Sequence, residues 1–237
     1  MPPPPVAVVT PPEPETAAPP IGGSSQIGGM PAPIDPSSQI GGRALGAGEC
    51  VTMFSGTGGD DRIDGTDGDD RIFGLVGNDA LRGLAGDDCL FGSEGNDQVL
   101  AGAGNDIASG GVGADTIDGA GGNDKLWGNA GVDRLLGQGG DDRLSGGDGN
   151  DVLDAGPGND ALLAGKGSAR LLGGAGRDTL KTAGGGHDRL DAGSGNDRID
   201  ARNGDRDVVD CGAGRDTARV DRADRVRRCE RVIRPRR

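Results

Sequence analysis

An all-β solenoid is the fold class this sequence predicts, and three observations predict it. A unit of nine residues recurs in phase from Ser55 to Ala218. Each unit has a glycine at a turn, nearly every one an aspartate two or three residues later, and most an aliphatic two residues after that. DGTDGDDRI (Asp64 to Ile72) and SGGDGNDVL (Ser145 to Leu153) show the pattern. The composition lacks the side chains of a thick core: 50 glycines, three Phe, one Trp and no Tyr in 237 residues. One Ile, Leu or Val per nine residues suits a narrow core running along a solenoid axis.

Residues 1–49 come first, a Pro-, Ala-, Gly- and Ser-rich stretch in which SSQIGG occurs twice (Ser24 to Gly29, Ser37 to Gly42). Such a composition buries too little apolar surface to offset its ordering entropy, so the expectation is a disordered linker. The start MPPPPVAVVT lacks the basic region of a signal peptide. The β-roll is expected over residues 50–218, and within it eighteen units follow over residues 55–218, sixteen of nine residues and two of ten. Each reads as a six-residue turn and a three-residue strand. Glycine supplies positive φ and close backbone approach in the turn. The aliphatics, from Ile63, Ile72 and Leu81 to Ile199 and Val209, point inward by strand alternation and their Arg, Lys or Thr neighbours outward. Phe54 takes the inward register just before the first unit, as a front cap. Phe73, Phe91 and Trp127 share one outward column. Residues 219–237 hold nine arginines against Asp221, Asp224 and Glu230. They read as an Arg-rich cap or tail in which Asp224-Arg225-Val226 echoes the repeat.

The repeated carboxylate sets the chemistry. Aspartates one coil apart repel by roughly 1 kcal/mol in a water-like dielectric and about 3 to 4 kcal/mol at an effective dielectric constant of 20. Summed over some sixteen neighbours, this exceeds the ~5–15 kcal/mol stability of a domain, so the pattern asks for a cation. Carboxylate and carbonyl oxygens are hard ligands, and Ca²⁺ accepts six to eight of them in flexible geometry. Mg²⁺ demands tighter octahedra, and Zn²⁺ wants the Cys and His that these turns lack.

These units resemble the RTX family, the hemolysin-type calcium-binding repeats written G-G-x-G-x-D-x-U-x. The resemblance implies a right-handed parallel β-roll with two nonapeptides per coil, hence about nine coils here. It also implies multiple Ca²⁺ ions held between turns of successive coils by aspartate carboxylates and turn carbonyls. One edge would carry Asp70, Asp88, Asp106, Asp124, Asp142, Asp160, Asp178, Asp197 and Asp216. The other would carry Asp61, Asp79, Asp97, Asp115, Asp133, Asp151, Asp188 and Asp207, with Ala169 in place of an aspartate. Eight regular sites are expected on the first edge and five on the second, with three more weakened or lost. Lys166, in the Ala169 turn, is a candidate to replace a calcium with its ammonium. The first glycine of the consensus is commonly Asp, Phe, Leu or Ser in this chain. Cys211 and Cys229 stand 18 residues apart, one coil, and stacked coils lie roughly 4.8 Å apart, within disulfide range. Cys50–Cys89 is the second expected bridge.

Other functions find little support. The net charge of −13 argues against nucleic acid as a partner, and no apolar run is long enough to span a membrane. His187, the single histidine, is far from any candidate nucleophile, so no enzyme is expected. Gly165-Lys166-Gly167 lacks the Ser or Thr of a phosphate loop. Thr57 and Thr66 give way to Leu75 and Leu84, which is not the threonine row of an ice-binding face. The chain reads as an extracellular calcium-binding module that folds on binding Ca²⁺. The alternatives are a calcium-dependent surface adhesin or the folding module of a larger secreted protein. A cell-wall polymer or glycan is the candidate partner, through the aromatic column or the basic tail.

Overall fold

The computed structural model describes residues 50–235; the expected linker 1–49 lies outside the described residues. There is no helix among the described residues, only short parallel strands alternating between two sheets. One sheet runs from Thr52–Ser55 through Asp70–Val76 and Cys89–Glu94 to Arg231–Ile233, eleven strands in order. The other runs from Arg62–Asp64 through Ala80–Ala85 to Arg225–Arg227. Through most of the roll each strand pairs with the next strand but one, as two nonapeptides per coil require; near the C-terminus the extra short strand Ala213–Gly214 shifts that count by one. The result is a parallel β-roll of about ten turns. The sequence counted nine because the strand Thr52–Ser55 and the strands of the tail lack the full repeat signature, yet they continue the same ladders.

Strand alternation makes the core. Ile72 pairs with Leu90 in one sheet, and Leu81 with Val99 in the other, so each aliphatic stacks on its equivalent one coil away. Ile72, Leu81, Leu90, Ile117, Leu126, Leu135, Leu144 and Leu153 are fully buried. Ala108 and Ala218 fill the two positions where the aliphatic is missing. The next inward position holds only Gly, Ala or Cys over most of the roll, because the backbones approach closely there. A Cβ added to Gly74 would come within 2.8 Å of the Gly92 carbonyl oxygen. No single strand can stand alone at this length; burial of about 1.5–3 kcal/mol per large aliphatic accrues only when coils stack.

The turns stack as tightly as the strands. Gly95 has a φ of +133°, and a Cβ there would overlap the Gly77 carbonyl of the preceding coil. The substitutions that cost the backbone something lie two residues after the first unit position. Leu75 and Leu84 hold φ near 85° and Ser93 near 89°, where later coils place Gly102 and Gly111. Leu84 is 45% exposed, so its side chain contributes little burial in return.

Both ends are tied down. Cys50–Cys89 and Cys211–Cys229 are disulfides with Cα–Cα distances of 5.9 and 5.1 Å, and no free cysteine remains. Phe54 packs half-buried against the front of the core, and Val226 and Cys229 pack against its far end. The aromatic column differs from its expected open row. Phe73 and Phe91 stack with centroids 5.2 Å apart, and Phe91 lies in a small apolar cluster with Cys50 and Cys89. Phe91 is 6% and Trp127 5% exposed, so neither is available as an open contact row. The first bridge carries Cys50 across the outer face, which strand alternation alone did not foresee.

A left-handed conformation costs a non-glycine residue about 1–2 kcal/mol, while glycine adds roughly 0.5–1 kcal/mol of unfolded-state entropy. Leu84→Gly is therefore expected to stabilise the calcium-loaded protein by about 0.5–1 kcal/mol in chemical denaturation. A loss of stability would show that the Leu84 side chain contributes packing that outweighs its backbone strain.

Candidate metal centres

The aspartates of the repeat form two continuous ladders, one along each edge of the roll. Their carboxylates turn inward beneath the turns, where all but the half-buried Asp61 at the front are at most 2% exposed. On the first edge the backbone N–H of Asp70 donates to Asp88 Oδ1 at 2.8 Å. The step repeats through Asp106, Asp124, Asp142, Asp160, Asp178, Asp197 and Asp216 at 2.7 to 2.9 Å. On the second edge it runs Asp61, Asp79, Asp97, Asp115, Asp133, Asp151. It breaks at Ala169, which offers no carboxylate to the Asp151 amide, and resumes from the Ala169 N–H to Asp188 and on to Asp207. The edges are those the phase of the repeat predicts. The ten-residue units do not interrupt the ladder: Asp178 still donates to Asp197 at 2.8 Å, the extra residue being absorbed in the turns.

Each carboxylate thus has one oxygen held by the neighbouring coil, and the other is the informative one. Fifteen of the seventeen aspartates leave one buried carboxylate oxygen with no hydrogen-bond partner, usually Oδ2. In most coils that Oδ2 lies over an inward glycine, in space a Cβ would fill. At Gly74 the Asp79 Oδ2 and the Gly92 carbonyl oxygen both border that space. A buried, unpaired anionic oxygen is costly unless a cation reaches it. The two exceptions have substitutes. Asp61 Oδ2 accepts from the Thr57 amide and hydroxyl at 2.6 and 2.9 Å, and Asp188 Oδ2 from Asn203 at 3.4 Å. Thr66 does the same for Asp70 Oδ2, leaving Asp70 Oδ1 bare. The two front threonines therefore serve the first carboxylates of each edge.

Electrostatics agree with the geometry. Burial pushes Asp106, Asp115 and Asp160 up to about 7 and Asp88, Asp124, Asp133, Asp197 and Asp207 up to about 6, from the usual 3.8. The N–H bond from the preceding coil pulls each of them down, and neighbouring carboxylates push them up again. Asp97, Asp142, Asp151, Asp178, Asp188 and Asp216 are raised as well, burial again the first cause. Relative to the unfolded chain, keeping these carboxyls ionised at neutral pH therefore costs the metal-free fold stability.

Three further features escaped the sequence reading. Where it is Asn or Asp, the residue before a ladder aspartate builds a second, exposed ladder of opposite direction. There the Asn78 N–H donates to Asp60 Oδ1 at 2.8 Å, and Asn96 donates to Asn78 and Asn105 to Asp87 in the same way. The recurring Asn-Asp and Asp-Asp pairs carried that signal. Glu230 accepts the Asp216 N–H at 2.8 Å and so ends the first ladder without repeat spacing. Asp224 ends the second by accepting from Asp207 at 3.0 Å. Lys166 does not enter the Ala169 turn. Its ammonium pairs with Asp148 at 2.9 Å on the surface, so it replaces no cation there.

The donor set fits calcium. Nowhere among the described residues do three acidic, His or Cys side chains converge on one point. A bound cation would therefore take its remaining ligands from turn carbonyls, which are oxygens too. These carboxyls have folded-state pKa values above the unfolded value. In the metal-free chain the stability they contribute is present below about pH 4 and lost as pH rises through 6 to 7. Acidifying a chelator-treated sample from about pH 7.5 to about 5.5 should thus increase its β signal in far-UV circular dichroism. Loss of structure on acidification would contradict the burial of these carboxylates in the metal-free fold.

The family profile of the RTX calcium-binding nonapeptide repeat (four copies) matches this chain over residues 55–90, 91–126, 127–162, 163–199 and 182–218. The chain matches none of the curated proteins with which it was compared. RTX nonapeptide repeats bind multiple Ca²⁺ ions, which is the cation the buried oxygens call for. Its matched segments span residues 55–218, and over that span, more than two thirds of its length, the chain belongs to the RTX calcium-binding repeat family.

Proposed function

We propose that this protein is an extracellular calcium-binding β-roll whose folding and calcium binding are one event, with the seventeen repeat aspartates as its carboxylate ligands. The observation that carries the reading is the set of fifteen buried carboxylate oxygens without partners, spread along both edges in all turns but those of Asp61, Ala169 and Asp188. Each bound ion removes a desolvation cost that the metal-free chain bears, so binding free energy appears as folding free energy. A site set built this way stays empty at the low calcium of a cell interior and fills at the millimolar levels outside. Two disulfides support an oxidising compartment. No helix among the described residues is long and apolar enough to cross a membrane. The role is structural rather than catalytic: His187 is exposed, and its backbone N–H bonds Ser168.

A calcium titration followed by far-UV circular dichroism, with a magnesium control and chelator reversal, tests the proposal. The expected result is a cooperative, calcium-selective and reversible gain of β signal. A spectrum already β-rich in chelator at neutral pH would sink coupled folding, and equal response to magnesium would sink the ion assignment. Ala169→Asp gives a second check. It restores the missing carboxylate opposite Asp151 and should lower the midpoint calcium concentration severalfold. An unchanged or raised midpoint would mean that the ladder does not hold the metal.

A further inference from the structure

We propose that the outer face of the sheet running from Thr52–Ser55 to Arg231–Ile233, near its C-terminal end, binds a linear anionic polysaccharide along a zigzag of four cations. The register sets the zigzag. Thr179, Arg198, Thr217 and Arg231 stand in one outward column, and Lys181, Asp200, Arg219 and Ile233 in the next. Lys181, Arg198, Arg219 and Arg231 therefore advance one coil at a time, about 4.8 Å, while alternating between columns. Two cations of one column lie two coils apart, about 9.6 Å.

The four charges are free to bind. None of them enters an ion pair among the described residues. The one acid between them, Asp200, is held by Arg202 through Nε at 2.7 Å and Nη2 at 2.6 Å. Arg202 keeps its carboxyl below the usual carboxylate range. Arg198, Arg219 and Arg231 are exposed. Together with the threonine hydroxyls of the first column they line a shallow groove of about 500 Å³. Guanidinium groups match carboxylate and sulfate oxygens in paired hydrogen bonds, and hydroxyls complement a sugar chain.

The shape of the charge favours a polysaccharide over nucleic acid. The groove has no aromatic side chain on which a base could stack. Outside the nine arginines of residues 219–237 the chain is strongly acidic and repels a wide, rigid duplex whose second strand lies beyond the stripe. A thin chain with alternating charged groups can follow a single stripe four coils long. The buried aromatic column cannot serve this purpose, so the basic stripe takes the role that the sequence reading shared between aromatics and tail.

The test uses the full chain in millimolar calcium, its fold verified by circular dichroism in the same buffer. Binding of dextran sulfate, uncharged dextran and a duplex DNA oligomer is measured by titration calorimetry. Dextran sulfate should bind with an affinity that falls as salt is raised, and uncharged dextran should not bind. Arg198→Gln/Arg219→Gln should weaken that binding at least tenfold while leaving the calcium midpoint unchanged. Arg134→Gln/Arg170→Gln, exposed on the other sheet with the same change in charge, should leave it intact. Equal weakening by both double variants would overturn the site, leaving only net charge. Equal affinity for duplex DNA would overturn the polysaccharide assignment, and unaltered binding by Arg198→Gln/Arg219→Gln would overturn both.

Discussion

The buried carboxylate beneath each turn is the interaction on which the structure depends. One of its oxygens accepts an N–H from the preceding coil and fixes the register of the stack. The other faces an interior in which no protein donor reaches it. The first oxygen makes the fold specific, and in the proposed function the second makes it conditional on a cation. The aliphatic columns supply the hydrophobic gain, but they come into line only when the turns above them close. A cation that satisfies the second oxygen thus acts on the whole roll, because every coil repeats the same arrangement and contacts only its neighbours.

The periodic part of this design was legible in the sequence. Phase alone places Asp70 with Asp88 and Asp61 with Asp79, assigns Ile72 and Leu81 to the core, and locates the break at Ala169. The Cys211–Cys229 bridge follows from coil spacing; Cys50–Cys89, 39 residues apart, was suggested only by the position of both cysteines near the front. Coupled local and long-range signals of this kind leave little room for an alternative fold. What escaped was whatever departs from the repeat or lies across it. Glu230 substitutes for an aspartate from a 14-residue separation that no periodic reading anticipates. The position of Lys166 in the chain suggested a cation for the Ala169 turn, but its flexible side chain finds Asp148 on the surface. Phe91 has an outward address and is nonetheless buried beside Cys50, because a disulfide overrides the alternation of one strand.

The ends of the roll show how a repeat is closed without more repeats. At the front, Thr57 and Thr66 hand hydroxyl and amide donors to Asp61 and Asp70, one carboxylate oxygen of each thus being satisfied by protein. At the back, Asp224 and Glu230 stand in for the next coil, and Cys211–Cys229 fixes the last turn against the core. The arginines of that last turn bring the only concentrated positive charge to an acidic molecule. The proposed metal sites and the proposed recognition surface therefore lie in different places: the carboxylate ladders run along the edges, and one outer face presents the positive charge.

Anomalous diffraction from calcium-grown crystals tests the central claim most directly. The account predicts peaks between successive aspartates along both edges, within about 2.3–2.6 Å of the oxygens left bare in the ladders, with an interruption opposite Ala169. Ladders without peaks, their second oxygens bonded to protein or water, would contradict it.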